Sequence, residues 1–296
     1  MGSYGSSIPT AAEYHGIYPP PFGPVGVSAL GNTPEPSNVE QTPSNAFNAA
    51  LNATAEEKKG EAQAEHALFE WHLERLRMYA DDEGVWKKID VLAFETIPLA
   101  REARAIRRAV SELFSSGTAV KPWWMTFTFP EGNLPQEQHA GGPPMTTEQL
   151  LEAIFSPLST ASGSQDKGDL STPPAIGVNC TVPSLIPELV KSMSDAMFNM
   201  VPKPSPESVE GLRTTNEQPN NINSTWLVVY PNGRHIYQPS LRRWVEPSGG
   251  ESGEWADDLK SIRDGLNAID GSPPWGGIIL GGKYHFVHRP SLIFCG

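Results

Sequence analysis

The chain has 296 residues, with 34 Asp and Glu against 22 Lys and Arg, and a formal net charge of −12. That acidic balance, without any basic block interleaved with aromatics, argues against nucleic acid and anionic membrane as partners. No apolar run approaches the ~20 residues of a membrane span. Met1-Gly-Ser-Tyr-Gly lacks the basic-then-apolar pattern of a signal peptide, and two cysteines, Cys180 and Cys295, make no disulfide framework, so a reduced, cytoplasmic protein is expected. The 29 prolines and 27 glycines imply long irregular loops within one α/β domain over 1–296.

In chain order, residues 1–22 combine small turn-formers with spaced tyrosines, which suits either a loop lining a pocket or a frayed terminus. Residues 23–53 have no apolar periodicity and read as a flexible insert. Thr54-Ala-Glu-Glu57 reads as a capping box, opening a helix whose Leu68, Trp71, Leu76 and Tyr79 share a face. A buried strand is expected at 89–94, with Glu95-Thr-Ile-Pro98 as the loop after it. Pro98 then opens a helix carrying Leu99, Ala103, Ile106, Val110 and Phe114. Glu95 at that strand end suits either a ligand for a substrate amine or a charge on the helix N-terminus. A further strand is expected at 123–129, a loop at 130–145, a capped helix from Thr146 to Phe155, and a polar insert at 156–174.

Ala175-Ile-Gly-Val-Asn-Cys-Thr then forms a short apolar run that ends in Asn179 and Cys180, before a proline-opened helix running through Leu185, Leu189, Met193 and Met197. A thiol there is either buried filler or a reacting group. A third polar insert covers 201–224, a strand follows at 226–230, a helix is marked by Trp255, Leu259, Ile262 and Leu266, and a last glycine-flanked strand lies at 277–280. Strands alternating with helical patterns are the signature of a parallel sheet with helical crossovers. In such folds the chemistry sits just past the strand ends, here Glu95, Thr128, Asn179, Cys180, Asn232 and whatever follows Gly282.

At these strand ends the chain resembles the homocysteine S-methyltransferase family, in five segments and in order. They are Gly2-Ser-Tyr-Gly5 with Glu13-Tyr-His-Gly-Ile-Tyr18, Phe94-Glu-Thr-Ile-Pro98, Gly177-Val-Asn-Cys-Thr181, Val229-Tyr-Pro-Asn-Gly233, and Gly281-Gly282. The resemblance implies a (β/α)8 barrel and transfer of a methyl group from a sulfonium donor, S-methylmethionine or S-adenosylmethionine, to homocysteine. It further implies zinc as cofactor with Cys180 as its first ligand, Glu95 as acceptor of the substrate amine, and Asn179 and Asn232 as hydrogen-bonding groups of the pocket. By the same match the chain begins at the end of the family's third strand. The expected fold is therefore a partial TIM-type barrel with its first strands missing, unable to close, and with unpaired edges. Where the family has two further zinc-binding cysteines after the last strand, Lys283 and Tyr284 stand here. His285, His288 and Cys295 are the remaining candidate ligands. The alternative to a catalyst is an amino-acid-binding protein without activity. A cysteine hydrolase would need a histidine base at a strand end, and none of the seven histidines takes that place convincingly.

Overall fold

The computed structural model describes residues 1–24, 44–47, 55–156, 171–200, 225–232, 236–238, 243–245, 257, 260–264, 275–281 and 293–295. The elements, in chain order, are α1 (Ala55–Ala80), α2 (Glu83–Trp86), β1 (Leu92–Ile97), α3 (Ala100–Ser115), β2 (Trp123–Phe127), α4 (Thr147–Phe155) and β3 (Ala175–Asn179). They continue with α5 (Ile186–Met200), β4 (Trp226–Tyr230), β5 (Ile236–Gln238), β6 (Arg243–Val245), β7 (Ile278–Leu280) and β8 (Ile293–Cys295). β1, β2, β3, β4 and β7 make one parallel sheet in that order, and β8 joins β7 antiparallel. β5 and β6 form a separate antiparallel pair.

The alternation of each strand sorts its side chains between two faces. Leu92, Phe94, Met125, Phe127, Ile176, Val178, Leu227 and Val229 join the large core with α1, α3, α4 and α5. Each apolar side chain buried there contributes about 1.5–3 kcal/mol. The opposite face carries Ala175, Val228 and Ile279, with Trp124, Trp226 and Tyr230 packed against them. Gly177 lies in the middle of that face, and a Cβ there would stand 1.7 Å from the Val228 carbonyl oxygen, so only glycine lets β3 and β4 approach.

Both edges of the sheet are covered, which the expectation of unpaired edges did not include. The Glu95 amide donates to the Met1 carbonyl (3.0 Å) and the Ser3 amide donates to the Glu95 carbonyl (3.0 Å), so the opening residues pair in parallel with β1. β8 occupies the other edge. The strand expected at 89–94 runs instead over Leu92–Ile97, because Ile89 is still drawn into the turn after α2 through the Trp86 carbonyl. Glu95 and Thr96 therefore belong to the strand and not to the loop after it.

Residues 1–24 pack closely. Tyr18 is fully buried and its hydroxyl donates to Glu102 Oε2 (2.5 Å), while the Tyr4 amide donates to Glu102 Oε1 (2.6 Å) and His72 Nε2–H to the same oxygen (2.9 Å). A buried carboxylate at the first turn of α3 thus ties the opening segment to α1, and the frayed-terminus alternative falls. The buried stripe of α1 is Ala64, Leu68, His72 and Leu76, with Leu73 beside it, while Tyr79 is 42% exposed. The apolar count had passed over His72 because a partner on another helix offsets its burial. On the flank of α1, Glu61 and Glu65 pair with Arg101, Arg104 and Arg108 of α3.

Within the insert at 23–53, Asn45 and Ala46 are buried, and the Asn45 carboxamide donates to the His15 and Pro135 carbonyls (2.9 and 2.6 Å) and accepts from the Glu137 amide (2.9 Å). That part of the insert is a packed wedge, a correction to its reading as flexible. Most of the remaining inserts, Thr54, and Trp255, Leu259 and Leu266 of the expected late helix lie outside the described residues, although 260–264 are helical with Ile262 buried.

Candidate functional site at the strand ends

The C-terminal ends of β1, β3 and β4 carry all four residues singled out for substrate and zinc, Glu95, Asn179, Cys180 and Asn232. β1 carries a bulge. Phe94 pairs with Met125 and Ile97 with Phe127, so Glu95 and Thr96 together face the single residue Thr126. The bulge puts Thr96 at φ 60, in the left-handed region that a β-branched residue rarely enters. Cys180, just past β3, sits at φ 48.

Asn179 holds these two strained residues together. It is 1% exposed, its Oδ1 accepts from the Thr96 amide (2.9 Å), and its Nδ2 donates to Thr96 Oγ1 (2.7 Å) and to Cys180 Sγ (3.2 Å). Thr96 Oγ1 in turn donates to Sγ at 3.6 Å. The carboxamide thereby satisfies a bulge amide that has no sheet partner, and two donors converge on one sulfur. Backbone strain of this kind costs on the order of 1–3 kcal/mol per residue, and persists only where the surroundings over-determine it. The Cys180 amide donates to the Tyr230 carbonyl (3.3 Å), its carbonyl accepts from Thr128 Oγ1 (3.3 Å), and Thr181 Oγ1 accepts from the Phe129 amide (3.0 Å). The thiol is thus fixed from both sides.

Glu95 is half-buried on the sheet face away from the helices, and Thr126 of β2 stands opposite its bulge. Thr126 Oγ1 and Tyr230 Oη lie 2.7 Å apart. Burial, then the Glu95 charge, push the Tyr230 hydroxyl well above the ordinary phenol range. Glu95 also pulls the Met1 α-amine upward, against the burial that lowers it. Asn232 is half-buried, with its amide donating to the Thr181 carbonyl (2.9 Å), which pins the loop after β4 against the Cys180 turn. Sequence reasoning missed Thr96, Thr126 and Tyr230. The alternation Trp124-Met-Thr126-Phe-Thr128 could have put two hydroxyls on one face, but the contact to Tyr230 spans two strands and left no local signal.

Gly281 is buried, with its amide donating to the Val229 carbonyl (2.9 Å). Gly282, Lys283, Tyr284, His285 and His288 lie outside the described residues. Cys295 pairs through its backbone with Ile278 at the sheet edge. Among the described residues, no three His, Cys, Asp or Glu side chains gather as a metal-binding group. A catalytic zinc takes three protein ligands, and the described side chains at these strand ends bring one thiol, that of Cys180, so by themselves they do not fit such a centre.

A strained cysteine, an asparagine clamp and a half-buried carboxylate thus gather at the C-terminal ends of β1 and β3 of a parallel α/β sheet, the end where barrel folds carry their chemistry. The homocysteine S-methyltransferase family model matches residues 43–276, and the chain belongs to that family. It is similar to a selenocysteine Se-methyltransferase of Brassica oleracea var. italica, 24% identical over 211 residues, 69% of this chain and 44% of that protein. Homocysteine S-methyltransferase 3 of Zea mays is 25% identical over 72% of this chain and 47% of its own length. Homocysteine S-methyltransferase 3 of Arabidopsis thaliana is 22% identical over 89% and 49%. The chain spans about half the length of the curated relatives it matches. No solved structure matches it.

Proposed function

We propose that the strand ends form an acceptor site for an amino-acid thiol, homocysteine, and that the chain's reaction is methyl transfer to that thiol from a sulfonium donor, S-methylmethionine or S-adenosylmethionine. The observation that carries the reading is the placement of Glu95 on β1 and Cys180 just past β3, with β2 between them, the two strand ends being joined through Thr96 and Asn179. Glu95 takes the substrate ammonium, and Asn179 and Asn232 line the site. In the transfer, the acceptor sulfur loses its proton and its lone pair forms the new S–CH3 bond. The donor's S–CH3 bond breaks, and its electron pair stays on the donor sulfur, leaving a neutral thioether and methionine as the product. A thiol with a pKa near ~8.5 is mostly protonated at neutral pH, and the family resemblance implies zinc as the group that holds it deprotonated. Cys180 is the ligand this chain would supply.

A second reading is a binding protein without catalysis. It is favoured by Lys283 and Tyr284, which stand where the resemblance expects the family's paired cysteines. Metal analysis, calorimetry with homocysteine with and without a chelator, and an assay for methionine formed from either sulfonium donor separate the two. Stoichiometric zinc with turnover supports the transferase. Homocysteine binding that survives chelation, without turnover, supports the binding protein. Absence of any homocysteine binding overturns both.

A further inference from the structure

Thr126 and Tyr230 extend a line of groups from Glu95 across the sheet face away from the helices, and the resemblance gives neither of them a role. Thr126 is fully buried and stands opposite the Glu95–Thr96 bulge. Tyr230 ends β4, two strands away, and reaches Thr126 across β3 at the level where Gly177 carries no side chain. The single hydrogen of Thr126 Oγ1 has two acceptors, the Phe94 carbonyl at a long 3.5 Å and the Tyr230 oxygen at 2.7 Å. Either oxygen of the Thr126–Tyr230 pair can donate: where Thr126 serves the Phe94 carbonyl, Tyr230 donates to Thr126, and where Thr126 donates to Tyr230, the phenol keeps its own hydrogen. In the second arrangement Tyr230 has a hydrogen to give, and Glu95, whose bulge stands opposite Thr126, is the carboxylate whose charge acts on it.

We propose that Tyr230 is a positioning residue for Glu95: its hydroxyl, fed by Thr126, donates to the carboxylate and holds it oriented toward the ammonium of the amino-acid acceptor. This rests on the reading of Glu95 as the amine acceptor. The elevation of the Tyr230 hydroxyl by burial and by the Glu95 charge accords with a phenol that stays protonated and donates. A donor held by a second hydroxyl restricts the rotamers of the carboxylate it serves, while its half-exposed side remains open to a ligand. The consequence is selectivity for a thiol that carries an α-ammonium over the same thiol without one.

The test is calorimetric titration of the full chain with homocysteine and with 4-mercaptobutanoate, its analogue lacking the amine, with circular dichroism as the check on folding. The wild type is expected to prefer homocysteine. Tyr230→Phe should weaken homocysteine roughly 5- to 10-fold, the scale of one hydrogen bond to a charged group, and leave the analogue within about twofold. Thr126→Val should move the preference the same way by a smaller factor. Glu95→Gln should remove the preference, and adding Tyr230→Phe to it should change nothing further. Equal binding of both ligands by the wild type overturns the assignment of Glu95 and, with it, the role of Tyr230. A wild-type preference that Tyr230→Phe leaves intact, or a loss that falls equally on both ligands, overturns the role of Tyr230 alone. Should Tyr230→Phe fail to fold, Thr126→Val decides by the same two outcomes.

Discussion

Asn179 carries more of the site than its size suggests, because one carboxamide satisfies a bulge amide, a threonine hydroxyl and a sulfur at once. Replacing it with alanine leaves the Thr96 amide buried without a partner and removes the group that holds two left-handed residues in place. Asn179→Ala is expected to cost about 2–4 kcal/mol in urea denaturation, the sum of a lost buried donor pairing and relaxation around it. Asn179→Asp keeps the acceptor for the Thr96 amide but loses the donations to Thr96 Oγ1 and Sγ, and should fall between. His72 gives a second prediction. Burial holds its imidazole below the ordinary value, against the opposing pull of Glu102. At pH above the unfolded value of ~6.5 both states are neutral and nothing is lost. As pH falls through that value the unfolded chain takes up a proton that the folded chain refuses, so stability declines toward the lowered folded value. Denaturation midpoints measured from pH 7.5 to 5 should show this decline, and His72→Gln, which can still donate to Glu102, should flatten it.

At the level of helices and strands, buried polar side chains supply the ends that local sequence does not. α3 has no side-chain cap of its own at Leu99, and the Gln136 side-chain oxygen accepts from the Ala100 and Arg101 amides instead (2.6 and 3.4 Å). Arg107, 1% exposed on the same helix, donates to the Ala153 and Ser156 carbonyls at the end of α4 (3.0 and 2.9 Å) and to the Ser171 carbonyl (3.4 Å). It therefore pins both ends of the polar insert that separates α4 from β3. Arg107→Ala should destabilise the chain by about 3 kcal/mol or more, since it strands buried carbonyls and leaves a cavity. Limited proteolysis should show faster cleavage within the insert. Arg107→Lys, with one donor centre in place of a fork, should recover only part of the loss. By contrast, Thr146 and Gln149 cap α4 reciprocally within one turn. That is why α4 was legible in the sequence to the residue, whereas the start of α3 was misplaced by two.

For the molecule as a whole, the site depends on four strands keeping register. Glu95, Thr126, Asn179 and Tyr230 come from β1 to β4, and a slip of one residue would send each to the helix-packed face. Gly177 guards that register where β3 meets β4. Gly177→Ala places a methyl group against the Val228 carbonyl, and an insoluble or molten product is expected, or a loss of more than about 3 kcal/mol if the strands part without unfolding. The near-ultraviolet circular dichroism of Trp124 and Trp226, which flank that junction, would report the change. Coverage of both sheet edges, by Met1–Ser3 and by β8, gives the partial barrel a way to satisfy backbone groups that closure would otherwise pair.

The parallel α/β class, the helices behind it and the placement of Glu95, Asn179, Cys180 and Asn232 at strand ends were all readable in the chain, because apolar periodicity and turn residues are local properties of consecutive positions. The strand-end motifs also sufficed to reach the family. What periodicity cannot carry is contact between distant positions. The bulge that draws Glu95 and Thr96 into β1, the burial of His72 against Glu102, the wedge at Asn45 and the line from Thr126 through Tyr230 toward Glu95 each join residues 30 to 135 positions apart or depend on such a contact. A polar residue with a distant partner looks, in sequence, like one exposed to water. Only the folded arrangement distinguishes them, since it is the partner that offsets the desolvation cost.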